Sequence, residues 1–242
     1  MVYDNNFEIE RKKYFDEMVK DESISKLKNK LFSKLVENKY SYQFDWLGVP
    51  IIQMPSDLMG FQELIFLTKP DVIVETGVAR GGSLIFWASM LDLLKNDGHV
   101  IGIDIKIHEH TKLAIKESKL NHKIHLIEND SISPLNLEFI RKIEKKTSKY
   151  LVFLDSNHTE DHVFQELELY KNLLTSNSYI VVLDTIIQFL PKESNRDWGP
   201  GNSPMSAINK FMEKYGDTFG IDNYYSNKSL LTVAPSGFIY KL

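Results

Sequence analysis

The chain has 242 residues, of which 43% are hydrophobic and 26% are charged, and its formal net charge is -4. These values are typical of one large globular domain, alone or with an extension, and they give no general attraction to nucleic acid. The absence of cysteine excludes disulfides, zinc–thiolate sites and thiol nucleophiles. The polar N-terminus does not resemble a secretory signal, and no apolar run approaches the roughly 20 residues of a membrane span. We therefore expect a cytoplasmic protein without a membrane partner.

The N-terminal part of the chain predicts a helical extension, which we place at residues 1–50, followed by a main domain at residues 51–242. Apolar residues recur at helical spacing between residues 7 and 37. Those predicted to share one face are Ile24, Leu27, Leu31 and Leu35. The pattern favours one or two amphipathic helices that pack on the core or on another copy of the chain, so we expect a homo-oligomer.

From Val72 onward, apolar strands alternate with helices, which is typical of a parallel, doubly wound α/β sheet. The predicted strands are Val72–Glu75, Val100–Asp104, Ile124–Ile127, Tyr150–Asp155 and Tyr179–Asp184. The predicted helices between them are Ser83–Leu94, Lys112–Lys119, Leu137–Lys145 and Glu160–Leu174. The segment before this alternation predicts a loop at residues 40–55 and a helix that ends at Leu67, capped by Ser56 or Asp57.

The alternation stops after Asp184. Residues 186–204 form a segment rich in proline and glycine, and loops of this length inside a compact domain are usually functional or disordered. Beyond it, the pattern predicts a helix at Met205–Tyr215. Two strands at Leu230–Val233 and Phe238–Lys241, joined by a Pro-Ser-Gly turn, predict a hairpin at the C-terminus.

The most informative stretch is Val72–Ser83, VIVETGVARGGS, which predicts a strand, a glycine-rich turn and the start of a helix. Glycine lets the backbone approach a ligand closely, and the first turn of a helix offers N–H groups without intrahelical partners. Glu75 at the strand end would repel a pyrophosphate but could help to hold a cationic ligand. The stretch therefore favours an amino-acid-bearing cofactor such as S-adenosylmethionine over a nucleotide phosphate.

An acidic residue lies at or just beyond each of the five predicted strands. These residues are Glu75, Asp104, Asp130, Asp155 and Asp184. A single aspartate in such a place is commonly a helix cap, but five indicate a ligand site, because ligands of open α/β sheets bind at the carboxyl ends of the strands. Asp104 lies 22 residues after Gly82 (104 − 82), near the spacing at which an acidic residue binds a ribose. The glycines read G-x-x-x-G-G, so the dinucleotide fingerprint is absent.

Asp155 and His158 follow the fourth predicted strand. The histidine could accept a proton at neutral pH, or it could bond only to the backbone of the turn. If the fourth strand pairs with the fifth, Asp155 and Asp184 lie close enough to hold Mg²⁺, which prefers oxygen ligands. Alternatively, Asp155 contacts only the cofactor and Asp184 caps a loop.

Four motifs, in this order, resemble the cephalosporin-hydroxylase/rhamnosyl O-methyltransferase family. They are Glu75–Ser83 (ETGVARGGS), Ile101–Ile105 (IGIDI), Leu154–Thr159 (LDSNHT) and Val182–Thr185 (VLDT). The resemblance extends from Tyr42 to the C-terminus. It implies the class I methyltransferase fold, a Rossmann-like, mostly parallel seven-stranded sheet. It also implies an enzyme that uses S-adenosylmethionine to methylate a hydroxyl of a sugar or natural product.

The resemblance further implies roles for individual residues. The cofactor would be bound by Glu75, Gly77, Gly81, Ser83, Asp104, Ile105, Asp130, Ser131 and Asp155. His158 would be the general base, with Asp155 as the alternative, and Asp155 with Asp184 would bind Mg²⁺. The family has two adjacent acidic metal ligands, whereas the corresponding positions here are Leu183 and Asp184, so one ligand is missing.

Several functional alternatives stay open at this point. The missing ligand makes N-methylation of a small amine or amino sugar an alternative, because an amine needs less help from a metal. An NAD-linked oxidoreductase and a non-catalytic subunit of the same fold are further alternatives, the former disfavoured by the glycine pattern. The sequence does not identify the acceptor, which we expect to be a small molecule or a saccharide.

Overall fold

The computed structural model describes residues 4–143, 148–192 and 194–242. Its helices are α1 (Asn5–Lys20), α2 (Glu22–Glu37), α3 (Pro55–Thr68), α4 (Gly82–Leu93), α5 (Glu109–Glu117), α6 (Leu135–Ile143), α7 (Glu160–Tyr170), α8 (Pro204–Tyr215) and α9 (Asn223–Ser229). Its strands are β1 (Asp45–Trp46), β2 (Val49–Pro50), β3 (Val72–Thr76), β4 (His99–Asp104), β5 (Ile124–Glu128), β6 (Tyr150–Leu154), β7 (Tyr179–Val182), β8 (Phe219–Ile221) and β9 (Phe238–Lys241). Short 3-10 turns lie at Tyr40–Gln43, Asn121–Lys123, Lys171–Leu173 and Thr185–Phe189.

The main sheet has the strand order β5–β4–β3–β6–β7–β9–β8. Neighbouring strands from β5 to β7 are parallel, whereas β9 runs antiparallel to both β7 and β8. The chain first adds strands on one side of β3 and then continues with β6 on its other side. Ligands of open sheets bind at such a switch point, so the topology places the binding crevice at the carboxyl end of β3.

Helices cover both faces of this sheet. Side chains of β3 alternate between the faces, so that Ile73 packs with α3 and α4, whereas Val72 and Val74 pack with α6, α7 and α8. Strands β3 and β6 are buried over their whole length, which explains their continuous apolar sequence. The predicted fold, a doubly wound and mostly parallel seven-stranded sheet, is confirmed.

The two N-terminal helices form as the apolar spacing predicts. Asp4 and Asp21 begin them, because each side chain accepts hydrogen bonds from backbone N–H groups of the first turn. Helix α1 buries no side chain, and on α2 the predicted face leaves Leu27 and Leu31 exposed while Phe32 is buried. Within the described parts of the chain, no helix is long and apolar enough to cross a membrane.

The five strands and the intervening helices that the alternation predicts are confirmed, with ends that shift by one to three residues in most cases. Helix α7 ends at Tyr170 and continues only as a 3-10 turn, four residues short of the predicted end at Leu174. The last two residues of the predicted helix Leu137–Lys145 lie outside the described residues.

The predicted C-terminal hairpin is wrong. Residues 230–233 form no strand, and the antiparallel partner of β9 is β8, a strand that the sequence analysis did not identify. The backbone N–H of Val233 donates instead to the buried carboxylate of Asp57 on α3 (2.9 Å). This segment is therefore bonded to a helix, and the Pro-Ser-Gly turn leads from it directly into β9.

The predicted cap of α3 is also wrong. The helix begins at Pro55, and neither Ser56 nor Asp57 caps it, because both lie inside its first turn. The preceding loop contains the β1–β2 hairpin, where the indole N–H of Trp46 donates to Ser89 on α4 (3.1 Å). The hairpin thus packs on the main domain, and the proposed domain boundary at residue 50 stays a prediction.

Candidate active site

The glycine turn after β3 lies directly against the end of β6. Gly77 has a φ of +86°, and a Cβ at this position would overlap the backbone carbonyl of Asp155. Only glycine combines this left-handed backbone with such a close approach. A second left-handed glycine, Gly81 (φ +87°), immediately precedes α4, so that the first turn of the helix faces the crevice.

Glu75 lies beneath this turn and is 1% exposed. Its side chain points to the α4 face, where the Ser83 hydroxyl (2.9 Å) and the Trp87 indole N–H (3.0 Å) donate to one carboxylate oxygen. Burial raises the pKa of Glu75 to about 8, and the nearby negative charge of Asp104 acts in the same direction. A cation bound above Glu75 would favour its ionised form.

A cleft of about 180 Å³ opens between the glycine turn and the segment that follows β2. It is lined by Pro50, Ile51, Ile52, Gln53, Glu75, residues 77–83, Asp104, Asp155 and Ser156. The two walls touch, because a Cβ at Gly82 would overlap the carbonyl of Pro50. Six of the predicted cofactor residues therefore border one cleft, namely Glu75, Gly77, Gly81, Ser83, Asp104 and Asp155.

The carboxylate of Asp104 is held by the backbone at the end of β4. One oxygen accepts from the N–H of Val78 (2.9 Å) and the other from the N–H of Lys106 (3.0 Å). Both oxygens keep a second lone pair for a ligand hydroxyl. Ile105, the next residue, is 74% exposed and does not line the cleft.

Asp130 and Ser131 lie beyond the cleft. The Ser131 hydroxyl is 2.8 Å from Nε2 of His162 and 3.2 Å from the hydroxyl of Ser156, which does line the cleft. Ser156 in turn donates to the buried Glu166 (2.7 Å). Burial raises the pKa of Glu166 to about 7. The network connects Ser131 to the wall of the cleft but does not bring Asp130 into it.

Asp155, His158 and Asp184 form one cluster at the ends of β6 and β7. Each offers a ligand atom, and these atoms all lie within 4.8 Å of one another. Nε2 of His158 is 3.3 Å from a carboxylate oxygen of Asp184. Burial, reinforced by the negative charges of Asp184, Glu75 and Glu166, raises the pKa of Asp155 well above its usual range. Two carboxylates that repel each other in this way are suited to a divalent cation.

Leu183 does not contribute to this cluster. Its side chain is 1% exposed and belongs to the core on the α3–α4 side of the sheet, whereas Asp184 turns toward His158 through a left-handed backbone (φ +54°). The structure thus brings both predicted metal residues together, and it places His158 beside them as a further potential ligand.

The segment after β7 packs against the cluster through Trp198. The ring of Trp198 meets the imidazole of His158 edge to face, with 5.0 Å between centroids. The segment is held by Gln188, whose side-chain oxygen accepts from the N–H of Gly201 (3.0 Å) and the hydroxyl of Ser203 (2.7 Å). It is also held by Asn202, which accepts from the N–H of Glu160 at the start of α7 (2.8 Å).

Sequence reasoning missed Gln53, Ser156 and Glu166. Gln53 is 3% exposed, and its amide donates to Asp155 (3.2 Å). The signal for it is weak: a lone amide in the otherwise apolar stretch Val49–Met54. The signal for Glu166 is helical spacing, because it shares the buried face of α7 with Val163, Leu167 and Tyr170.

The chain matches the family described as rhamnosyl O-methyltransferase/CmcI over residues 38–242. The rhamnosyl O-methyltransferase of Mycobacterium tuberculosis is 26% identical over 211 residues, which cover 87% of this chain and 81% of that protein. Among solved structures, the apo form of CmcI has a TM-score of 0.64 at 19% identity and covers 83% of this chain and 77% of CmcI. CmcI with Mg and S-adenosylmethionine has a TM-score of 0.59 at 17% identity and the same coverage.

The structural likenesses show a shared fold, and the family match covers the glycine turn and every strand-end acid. The family match confirms the resemblance that the four motifs carry, and it argues against an NAD-linked oxidoreductase and against a non-catalytic subunit. The chain therefore belongs to the rhamnosyl O-methyltransferase/CmcI family of methyltransferases.

Proposed function

We propose that this protein transfers the sulfonium methyl group of S-adenosylmethionine to a hydroxyl of a sugar or a sugar-bearing natural product. The observation that carries the proposal is the position of Asp155, which lines the cleft and also belongs to the cluster with His158 and Asp184. A methyl donor in the cleft would therefore lie beside a proton acceptor and two metal-binding carboxylates. The mycobacterial relative is a rhamnosyl O-methyltransferase, and a CmcI structure contains Mg and S-adenosylmethionine, which supports methyl transfer from this donor.

The donor would extend along the cleft from the glycine turn. Its carboxylate would lie beside Gly81 and Ser83 at the start of α4, where the first backbone N–H groups of the helix lack intrahelical partners. Glu75 and Gly77 would border its methionine part. The other contacts that we propose are Asp104 with Ile105 at the ribose, Asp130 with Ser131 near the adenine, and Asp155 near the sulfonium.

Asp155 and Asp184 are the residues that we propose for Mg²⁺. Their oxygen atoms match the preference of this ion, and His158 lies within the same cluster. A divalent ion bound there would lower the pKa of the acceptor hydroxyl and orient it. The alternative of N-methylation rests on Leu183, which is buried and supplies no ligand, because an amine nucleophile needs less metal assistance.

His158 is the general base that we propose, with Asp155 as the alternative. Imidazole groups exchange protons near neutral pH, and the carboxylate of Asp184 at 3.3 Å would stabilise the imidazolium that forms. The hydroxyl oxygen forms a bond to the methyl carbon while the carbon–sulfur bond breaks. The hydroxyl proton passes to His158, and the sulfur keeps the bonding electron pair and leaves as S-adenosylhomocysteine. Because this is an in-line displacement, positioning supplies much of the rate.

The acceptor would bind beneath the segment that carries Trp198. Aromatic rings suit the apolar faces of sugars, and the guanidinium of Arg196 lies 4.9 Å from the Trp198 ring. Arg196 and Lys192 could contact polar groups or a phosphate on the acceptor. The segment would also exclude water from the reacting atoms.

The function is tested with methyl-labelled donor, panels of hydroxyl and amine acceptors, and mass spectrometry of the products. We expect label on hydroxyl acceptors, and a rate that falls in a chelator and returns with Mg²⁺. Full activity in the chelator would contradict the metal assignment, and label on amines alone would establish the N-methylation alternative.

The role of His158 is tested by His158→Ala. We expect kcat to fall by about 10²- to 10⁴-fold, the usual contribution of a general base, while calorimetry shows unchanged affinity for S-adenosylhomocysteine. His122→Ala, at an exposed histidine in the turn before β5, is the matched control. Near-normal turnover in His158→Ala would shift the role to Asp155.

We further propose that the protein is a homo-oligomer assembled through α1 and α2. Large apolar side chains on these helices are exposed in the single chain, namely Phe7, Ile9, Tyr14, Leu27 and Leu31. Several large apolar side chains exposed on neighbouring helices commonly mark an interface. Light scattering after size-exclusion chromatography tests this, and a monomer at micromolar concentration would contradict it. The cytoplasmic location and the absence of nucleic-acid partners stay predictions.

A further inference from the structure

One residue of the cleft wall carries a buried hydrogen-bond acceptor that has no donor. Among the described residues, four buried side-chain atoms lack a partner, namely Gln53 Oε1, Asp57 Oδ1, Tyr150 Oη and Glu166 Oε2. Of these four residues, Gln53 is the one that lines the cleft. Leaving a buried acceptor unpaired is unfavourable, and a ligand that donates to it removes the penalty.

The orientation of this side chain is fixed by its other end. The Gln53 amide nitrogen donates to Asp155 Oδ2 at 3.2 Å. The Oε1 atom must therefore occupy the opposite edge of the amide. The backbone on either side is also held, because the N–H of Ile51 donates to the carbonyl of Phe44 (3.0 Å) and α3 begins at Pro55.

Two other acidic side chains of the cleft already accept hydrogen bonds. One oxygen of Glu75 receives both Ser83 and Trp87, and both oxygens of Asp104 receive backbone N–H groups. Asp155, which Gln53 contacts, and Glu75 are carboxyl groups of the same cleft, and a cation bound there would favour their ionised forms. The site therefore suits a ligand group that is a hydrogen-bond donor and a cation.

We propose that Gln53 Oε1 accepts a hydrogen bond from the α-ammonium group of the methyl donor. This assignment rests on the proposed use of S-adenosylmethionine. With the donor carboxylate at the first turn of α4, the ammonium on the same carbon atom falls on the side of the cleft that Gln53 and Asp155 form. Gln53 thereby becomes a positioning residue, because it ties the amino-acid end of the donor to the carboxylate that also belongs to the metal cluster.

The test compares two ligands by titration calorimetry: S-adenosylhomocysteine and its analogue in which hydrogen replaces the α-ammonium group. For the natural chain we expect the analogue to bind about 10- to 100-fold more weakly, the usual effect of a hydrogen bond to a charged group. Gln53→Met keeps the length of the side chain but cannot accept. We expect it to weaken binding of S-adenosylhomocysteine by a similar factor and to leave binding of the analogue nearly unchanged.

Two further variants support the comparison. Gln53→Asn keeps the amide but shortens the side chain by one carbon. It should therefore also weaken binding of S-adenosylhomocysteine without weakening binding of the analogue, even if methionine disturbs the fold. Gln43→Met, at an exposed glutamine in the turn after α2, should bind both ligands as the natural chain does.

The outcomes distinguish a failure of the Gln53 assignment from a failure of the proposed cofactor. Equal weakening of both ligands in Gln53→Met and Gln53→Asn, or no weakening, would overturn the role of Gln53 while the natural chain still binds S-adenosylhomocysteine. Failure of the natural chain to bind S-adenosylhomocysteine would overturn the proposed cofactor and this assignment with it.

Discussion

At Gly77, both the fold and the proposed donor site depend on the absence of a Cβ atom. The left-handed backbone alone disfavours any other residue, and the contact with the Asp155 carbonyl adds an overlap that backbone cannot easily relieve. We predict that Gly77→Ala lowers the free energy of unfolding by about 2–5 kcal/mol, of which about 1–2 kcal/mol comes from the backbone conformation.

Gly48 supplies the matched control for this prediction. It has nearly the same φ (+83°), but a Cβ at this position would meet no atom within 4 Å. Gly48→Ala should therefore lose only the backbone part, about 1–2 kcal/mol. Urea denaturation of both variants measures the difference, and equal losses would show that the approach to Asp155 is not tight.

Single residues also show how far the sequence predicts the site. The strand-end acids could be found because a parallel sheet brings the carboxyl ends of its strands to one edge. What each acid does depends on the direction of its side chain: Glu75 faces α4, Asp104 is held by backbone, and Asp130 lies beyond the cleft. Gln53 could not be predicted, because its role arises only where the segment after β2 meets the end of β6.

At the scale of elements, hydrogen bonds hold the segment between β7 and α8 in place, and its Trp198 packs on His158. Gln188 accepts two hydrogen bonds from its far end, so loss of this side chain should release the segment without disturbing the sheet. We predict that Gln188→Ala is cleaved by trypsin about 3- to 10-fold faster after Lys192 or Arg196, because local opening controls proteolysis. Affinity for S-adenosylhomocysteine should be unchanged, and KM for the acceptor should rise.

Gln165→Ala is the control, since Gln165 is an exposed glutamine on α7 whose amide donates to the carbonyl of Asp161 in the same helix (3.2 Å). Cleavage at the same rate in both variants would mean that Asn202 and the packing of Trp198 hold the segment without Gln188.

A helix or strand can be predicted from sequence where its local sequence pattern and its tertiary contacts favour the same structure. The buried parallel strands satisfy this condition, because burial on both faces demands a continuous apolar run. The C-terminal region does not satisfy it. Strand β8 has three residues with a glycine at its centre, and it exists because β9 pairs with it. Residues 230–233 have a strand-like sequence, but their N–H at Val233 is taken by Asp57.

Across the described parts of the molecule, three buried carboxyl groups outside the Asp155–His158–Asp184 cluster make stability depend on pH in an unusual direction. Burial raises the pKa of Asp57 to about 7, of Glu75 to about 8 and of Glu166 to about 7. Below about pH 4 these groups are protonated in both the folded and the unfolded chain. As the pH rises, the unfolded chain ionises first while the folded chain keeps its protons. Each group therefore contributes stability that is fully present at low pH, is lost progressively as the pH rises from about 4, and is gone once the pH has passed the folded pKa of about 7 to 8.

Glu166→Gln isolates one of these contributions, because the amide keeps the shape and the acceptor for Ser156 but does not ionise. We predict that the variant exceeds the natural chain in free energy of unfolding by about 1–3 kcal/mol at about pH 8 and that the gap closes toward about pH 5. Urea denaturation across this range measures it. Glu213→Gln, at an exposed position on α8, should follow the natural chain at every pH. If the curve for Glu166→Gln ran parallel to the natural one, Glu166 would be ionised in the folded protein, and the network beneath the cleft would carry a negative charge.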